Sequence, residues 1–257
     1  MPEGDSVAGH AQRLRPILEG SRIESVGGTS PSVRVHSARI LDAVVDGVRT
    51  VGKHLIIDLS TGYSIRIHLG MTGRWTITAV SASPVHGSAR LVLGTESHRT
   101  ACFSAPTVEV DRTAAVDAEV ARLGPDLLGD FDVDEFLRRA RLREGELNVA
   151  QLLLDQEVVA GIGNVYKSEL LFLEGIHPET PAASLGDDTL RAIAERARRL
   201  MAVNVGKRRV TTGMRGPRRE HWVYGRDGRP CRRCGAAIES RGGADRVTYW
   251  CPGCQAL

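Results

Sequence analysis

Pro2 followed by Glu3 is the first pair in the chain that could do chemistry. Removal of Met1 would leave Pro2 with a free secondary amine, a nucleophile that no interior residue can supply. α-Amino groups titrate at roughly 7.7–8.0, so much of such an amine is neutral near pH 7. A carboxyl group beside it could act as a general acid if a desolvated site keeps it protonated. On the residues alone, the plainer alternative is a proline that favours methionine removal and starts a helix. Glu3 and Asp5 would then complement the helix dipole.

Four of the five cysteines lie in the last 27 residues, as Cys231-x2-Cys234 and Cys251-x2-Cys254 with sixteen residues between the pairs. This spacing reads as a zinc ribbon holding one structural Zn²⁺. Four thiolates leave no open coordination position for catalysis. Two disulfides would need an oxidising compartment, which nothing in the chain suggests. Cys102 stands alone in a strand-like stretch and reads as a buried thiol.

The stretch LLLDQEVVAGIGNVYKSELLFLEGIHP supplies a third candidate. Its glycines 161 and 163 allow the backbone to approach a ligand closely, and Asn164 sits where a helix cap would sit. Helix starts offer free N–H groups and a positive dipole end suited to a phosphate. A helical hairpin whose glycines only permit packing fits these residues equally well. The chain has 31 arginines and three lysines, Lys53, Lys167 and Lys207, so each lysine invites inspection. Lys167 faces the same region as Asn164, and a plain solvent-exposed charge is the alternative reading.

These groups need a scaffold. With 257 residues and 42% apolar content, the chain can form one large or two ordinary domains with real cores. No apolar run approaches a membrane span, and the N-terminus has neither the basic nor the apolar region of a signal peptide. The expectation is a soluble cytoplasmic protein. Net charge is +3, yet Gly206–Cys234 carries ten Lys or Arg against two acids. Such a run is a solvated face or, beside the cysteines, a phosphate-binding patch.

Val7, Ala11 and Leu14 at helical spacing predict a helix directly after Glu3, with Pro16 ending or kinking it. VVDGVRTVGKHLIIDL, then STG, then YSIRIHL reads as two strands and a tight turn. RWTITA, ARLVLG and TVEV add more strands. After LGPDLL the pattern turns helical. Asp132 with Glu135, and Asn148 with Gln151, mark helix starts, and Gly175 and Pro178 mark a stop. Residues 188–203 form another amphipathic helix.

GIGNVYKSELLFLEGIHP closely resembles the helix–two-turns–helix signature of the formamidopyrimidine-DNA glycosylase/endonuclease VIII family. MPEG, VGKHL, HLGMTG and LGPDLL resemble that family's N-terminus, lysine hairpin, intercalation loop and interdomain linker. VYGRDGRPCRRCG with DRVTYWCPGCQ resembles its zinc finger. The resemblance implies a multidomain α+β fold. An N-terminal antiparallel β-sandwich with flanking helices spans residues 1–120, and a linker spans 121–131. A C-terminal helix–two-turns–helix domain spans 132–225 and ends in a β-hairpin zinc finger at 226–257.

It also implies a bifunctional DNA glycosylase and abasic-site lyase of base-excision repair. Pro2 would attack C1′ and form a Schiff base, Glu3 would be the general acid, and Lys53 would contact phosphate near the scissile sugar. Asn164 and Arg246 would clamp successive phosphates, Met71 would fill the hole left by a flipped base, and Glu169 would position the reactive end. The partner implied is double-stranded DNA with damaged bases or abasic sites, bound by a monomer in a bacterial cytoplasm, nucleoid-associated through DNA.

The sequence departs from the family's pattern: Asp5 stands where the family often has a glutamate. The DPRRFG segment of many members is replaced by HRTACFSAPTVEV, which retains Arg99 and Phe103. A short segment before VYGR, together with MPEGD, favours oxidised pyrimidines. HLGMTG looks more like the purine branch, so oxidised purines are the alternative. A noncatalytic damaged-DNA binder would have no need of Pro2, Glu3 and Lys53 together.

Overall fold

The computed structural model describes residues 1–81, 87–143, 145, 147–214, 220–242 and 246–256. The chain divides into two compact units, Met1–Arg122 and Leu123–Leu257.

The first unit opens with α1 (Gly4–Leu18), whose Val7, Ala11, Leu14 and Leu18 are fully buried. Pro16 lies inside this helix and does not end it. Gln12 and Pro16 are both exposed, so the carbonyl deprived of its N–H partner can take water while Leu14 and Leu18 anchor the helix. Next come β1 (Ser25–Gly27), α2 (Pro31–Val35) and α3 (Ser37–Ile40). Seven strands follow: β2 (Val45–Val51), β3 (His54–Leu59), β4 (Tyr63–His68), β5 (Arg74–Ala79), β6 (Ala89–Gly94), β7 (His98–Phe103) and β8 (Thr107–Arg112). The helix α4 (Thr113–Val120) closes the unit.

The strands form two antiparallel four-stranded sheets, ordered β2-β3-β4-β8 and β1-β6-β7-β5. Leu55, Ile57, Ile65 and Ile67 of the first sheet meet Trp75, Leu91, Leu93 and Cys102 of the second in one buried core. Burying a Leu or Ile completely contributes about 1.5–3 kcal/mol relative to leaving it exposed. The stretch VVDGVRTVGKHLIIDL forms two strands where the pattern suggested one. Gly52 adopts φ 57° and turns the chain in the two-residue loop Gly52–Lys53, so β2 folds back on β3.

The second unit contains α5 (Val133–Arg143), α6 (Val149–Leu154), α7 (Asn164–Glu174) and α8 (Asp187–Asn204). It ends in the antiparallel hairpin β9 (Glu239–Arg241) and β10 (Thr248–Trp250). Phe136, Leu152, Tyr166, Leu170, Ile193 and Met201 belong to its helical core. Most of the segment expected to be a linker is packed into this unit. Leu127 is 1% exposed, and the N–H groups of Gly124 and Leu127 bond to the carbonyls of Gln156 and Ala160.

Two helix starts appear where their sequence pairs place them, and one of them closes a full capping box. Asn148 and Gln151 form a reciprocal capping box, at 2.9 and 3.0 Å. Asp132 Oδ1 accepts from the N–H groups of Asp134 and Glu135, whereas the Glu135 carboxylate turns to Arg138 and Arg139.

Candidate functional site

In the first unit, Pro2 is half-buried and Glu3 is fully buried. Glu3 is the N-cap of α1 through its backbone: its carbonyl accepts from Ser6 and Val7, at 2.9 and 3.0 Å. The side chain makes no capping bond, so sequestration and not capping describes this carboxyl group. Asp5 is also buried, and its Oδ1 accepts from the Ser6 N–H at 2.7 Å.

Lys53, half-buried, occupies the tip of the β2–β3 turn, and α1 packs against both of those strands. The register pairs His54 with His68 across β3 and β4, and their ring centroids lie 5.1 Å apart. Burial pushes the His54 pKa down to about 4, helped by the charges of His68, Arg66 and Lys53. Burial also lowers that of His68, helped by Lys53 and Arg66. His68 Nδ1 accepts from the Gly70 N–H at 3.1 Å, which fits a neutral ring carrying its proton on Nε2. Lys53, Arg66 and the two imidazoles thus form one cationic neighbourhood, and sequence reasoning gave the two histidines no role in it. The alternation of β3 and β4 could have found them, because it puts residues 54, 66 and 68 on one sheet face.

Met71 is 57% exposed, on the turn after β4. The Gly73 N–H donates to Leu69 O at 2.8 Å, and a Cβ on Gly73 would come within 2.3 Å of that oxygen. Glycine is therefore required for the turn that holds Met71 outward. Arg99 and Phe103 lie on β7, and the Arg74 guanidinium covers the Phe103 ring at 4.9 Å. Cys102 is fully buried, and burial raises its thiol pKa to about 12, so it is chemically quiet.

In the second unit, α6 and α7 flank the turns that contain GIGN. The Gln156 side chain binds this connection, donating to Leu154 O and Ile162 O and accepting from the Gly161 N–H. Gly163, not Asn164, is the N-cap of α7. Asn164 turns its side chain sideways, and its Nδ2 donates to Val247 O in the hairpin at 2.7 Å. Arg246 is exposed, one residue before that contact.

Lys167 is not solvent-facing: it is 1% exposed, and its Nζ bonds to Asn164 Oδ1 and Thr248 Oγ1. Glu169, grouped with the DNA-binding residues on sequence grounds, is fully buried. Its carboxylate accepts from the N–H groups of Trp222, Val223 and Tyr224 at 2.7–2.9 Å and from the Thr211 hydroxyl. It anchors the segment leading into the hairpin and has no surface to offer a ligand.

The basic segment is partly consumed by structure. Arg226 is buried and donates to Trp222 O and Pro230 O. Arg232 donates to His221 O, and Arg233 lies over the stacked rings of Phe172 and Trp222. Arg215, Arg218 and Arg219 lie outside the described residues.

The sulfur atoms of Cys231, Cys234, Cys251 and Cys254 all lie within 4.8 Å of one another. The separations of 3.4 Å for Cys234–Cys251 and 3.9 Å for Cys231–Cys254 are far too long for disulfides. They bracket the roughly 3.8 Å between sulfurs around a tetrahedral zinc with Zn–S bonds of about 2.3 Å. The four cysteines hold one structural zinc ion. Among the described residues, no helix is long and apolar enough to cross a membrane.

Comparison with known proteins covers nearly the whole chain. Residues 1–107 match the formamidopyrimidine-DNA glycosylase N-terminal domain, and residues 123–215 match the formamidopyrimidine-DNA glycosylase H2TH domain. Residues 228–257 match the zinc finger found in FPG and IleRS. The DNA-(apurinic or apyrimidinic site) lyase Nei2 of Mycolicibacterium smegmatis is 43% identical, with 99% of each chain covered. The endonuclease 8 2 of Mycobacterium bovis is 39% identical, with 99% of this chain and 100% of the relative covered. A Lactococcus lactis Fpg crystal structure in complex with abasic-site DNA superposes over 100% of both chains, with TM-score 0.84 and 25% identity.

Proposed function

The chain belongs to the formamidopyrimidine-DNA glycosylase/endonuclease VIII family and is a DNA glycosylase with abasic-site lyase activity in base-excision repair; from that premise we propose that its chemistry runs through the Pro2 amine. The observation that carries this reading is the pairing of a half-buried Pro2 with a fully buried Glu3 at the start of α1.

Once Met1 is removed, the Pro2 nitrogen lone pair attacks C1′ of the damaged nucleotide. The glycosidic C–N bond breaks, and the base leaves with the bonding electrons and takes up a proton. The nitrogen loses its own proton. Glu3 then protonates O4′ as the C1′–O4′ bond opens, which leaves a cationic iminium between Pro2 and C1′. That cation withdraws electrons and acidifies the C2′ proton. Loss of this proton forms the C2′–C3′ double bond and expels the 3′ phosphate. Water hydrolyses the iminium and restores the amine. Lys53 holds phosphate beside the sugar and, by charge repulsion, favours the neutral amine.

Asn164 and Arg246 grip the DNA backbone and bend it, which lowers the cost of flipping the target nucleotide. Met71 enters the vacated space. The substrate is an oxidised pyrimidine or an abasic site in double-stranded DNA, bound by a monomer in the bacterial cytoplasm. The departure at HRTACFSAPTVEV and the short segment before VYGR support the pyrimidine choice. A second reading, oxidised purines, is supported by the HLGMTG turn and by the Fapy-dG that Lactococcus lactis Fpg holds in its crystal structure.

Borohydride reduction of the enzyme on an abasic-site duplex tests the mechanism. A covalent adduct mapped to Pro2, and missing from protein that retains Met1, is the expected result. An adduct on any other residue would refute the assignment of Pro2.

A further inference from the structure

We propose that Lys167 is a positioning residue for the DNA-phosphate clamp: its buried ammonium fixes the Asn164 amide and ties the Arg246-bearing hairpin to the start of α7. The inference rests on the proposed reading of Asn164 and Arg246 as phosphate ligands.

Asn164 and Lys167 are three residues apart and share one face of α7. Burying an ammonium is costly unless it is well bonded. Lys167 is 1% exposed, and its Nζ donates to Asn164 Oδ1 at 2.6 Å and to Thr248 Oγ1 at 2.7 Å. An ammonium only donates, so it obliges Asn164 to turn its oxygen inward. That leaves the Asn164 NH₂ for Val247 O, at 2.7 Å. Thr248 and Val247, the two residues after Arg246, are thereby both fastened to α7. A cavity of about 530 Å³ opens on the same spot. Lys167, Arg246, Arg241 and Thr248 line it together with Leu154 and Trp250. The ammonium therefore does two things. It sets where Arg246 emerges, and it adds a fixed positive charge to the wall that Arg246 shares.

The test is binding of a duplex carrying tetrahydrofuran, a nonreactive abasic analogue. Affinity is measured by fluorescence anisotropy for wild type, Lys167→Met, Thr248→Val, Arg246→Ala and the Lys167→Met/Arg246→Ala double variant, with zinc content determined for each. Lys167→Met should weaken binding about tenfold, and Thr248→Val by less. The double variant should lose less affinity than the sum of the two single losses, because both changes act on one clamp. Under single-turnover conditions on abasic DNA, Lys167→Met should raise the enzyme concentration needed for half-maximal rate about tenfold, in step with its loss of affinity.

Wild-type affinity in Lys167→Met, or losses that add with those of Arg246→Ala, would overturn the inference. If Lys167→Met fails to hold zinc, Thr248→Val decides, and unchanged affinity there refutes the tether. Arg246→Ala binding as tightly as wild type would instead refute the clamp, and the inference would fall with it.

Discussion

Among the described residues each unit buries one glutamate completely, and the two are held differently. Glu169 lies in the middle of α7 with its carboxylate spent on three backbone N–H groups and a hydroxyl. Glu3 lies at the very start of α1, next to Pro2, and its side chain makes no capping bond. The lysines repeat the contrast. Lys167 is packed between α7 and the hairpin, whereas Lys53 rides the tip of a two-residue turn. In the second unit both residue types build the frame; in the first, the proposed mechanism has them act on the substrate. What separates them is position: Glu169 and Lys167 lie within α7, whereas Glu3 lies at a helix start and Lys53 at a turn tip.

Removing the zinc should break this contrast most severely. Structural zinc sites contribute on the order of 10–16 kcal/mol to small domains. Chelation, or Cys251→Ser, should therefore disrupt the hairpin and abolish specific DNA binding, while the first unit, with its own core, keeps its thermal transition. Collapse of both transitions together would mean that the units do not stand apart energetically.

The glutamates sharpen the comparison. Glu169→Ala leaves the N–H groups of Trp222, Val223 and Tyr224 without their acceptor and should cost about 3–5 kcal/mol of stability, read as a large fall in the second unit's Tm. Glu3→Gln keeps size and shape, so its Tm should move little. Its excision rate should fall about 10²–10⁴-fold, the usual contribution of a general acid. A Glu3→Gln variant that unfolds, or a Glu169→Ala variant as stable as wild type, would reverse the assignment.

The same contrast explains what could be read from sequence. The cysteine pairs, the capping box at Asn148 and the alternation of β4 act through local spacing, and each appears in the fold as its spacing implies. Pro16 does not end α1, because propensity is local whereas Leu14 and Leu18 answer to a core built from distant strands. The burial of Lys167 and Glu169 was hidden for a similar reason. Their partners, Thr248 and residues 211–224, lie some 40 to 80 positions away, and no periodicity in α7 announces them. Arg226, Arg232 and Arg233 raise the charge of the basic segment but serve carbonyls and aromatic rings, so charge counting overstated the surface offered to DNA.

The smallest expected effect concerns acid. His54 is held near pKa 4 by burial and by the neighbouring His68, Arg66 and Lys53 charges, well below the 6.5 of an unfolded histidine. Between those two values the unfolded chain binds a proton that the folded chain refuses. Stability is then highest above pH 6.5 and declines as pH falls toward 4. His68 adds to the slope in the same direction. His10, held near 4 by its own burial and by Arg13 on α1, does so independently. His54→Gln removes one of these protons, so its Tm should fall by a few degrees less than that of wild type between pH 7 and 4.5. Carboxylate protonation also erodes stability in acid, which makes the difference between the two curves the informative quantity. Parallel curves would show that the fold tolerates a charged His54, and the cationic neighbourhood around Lys53 would then exert less field on its surroundings than its geometry implies.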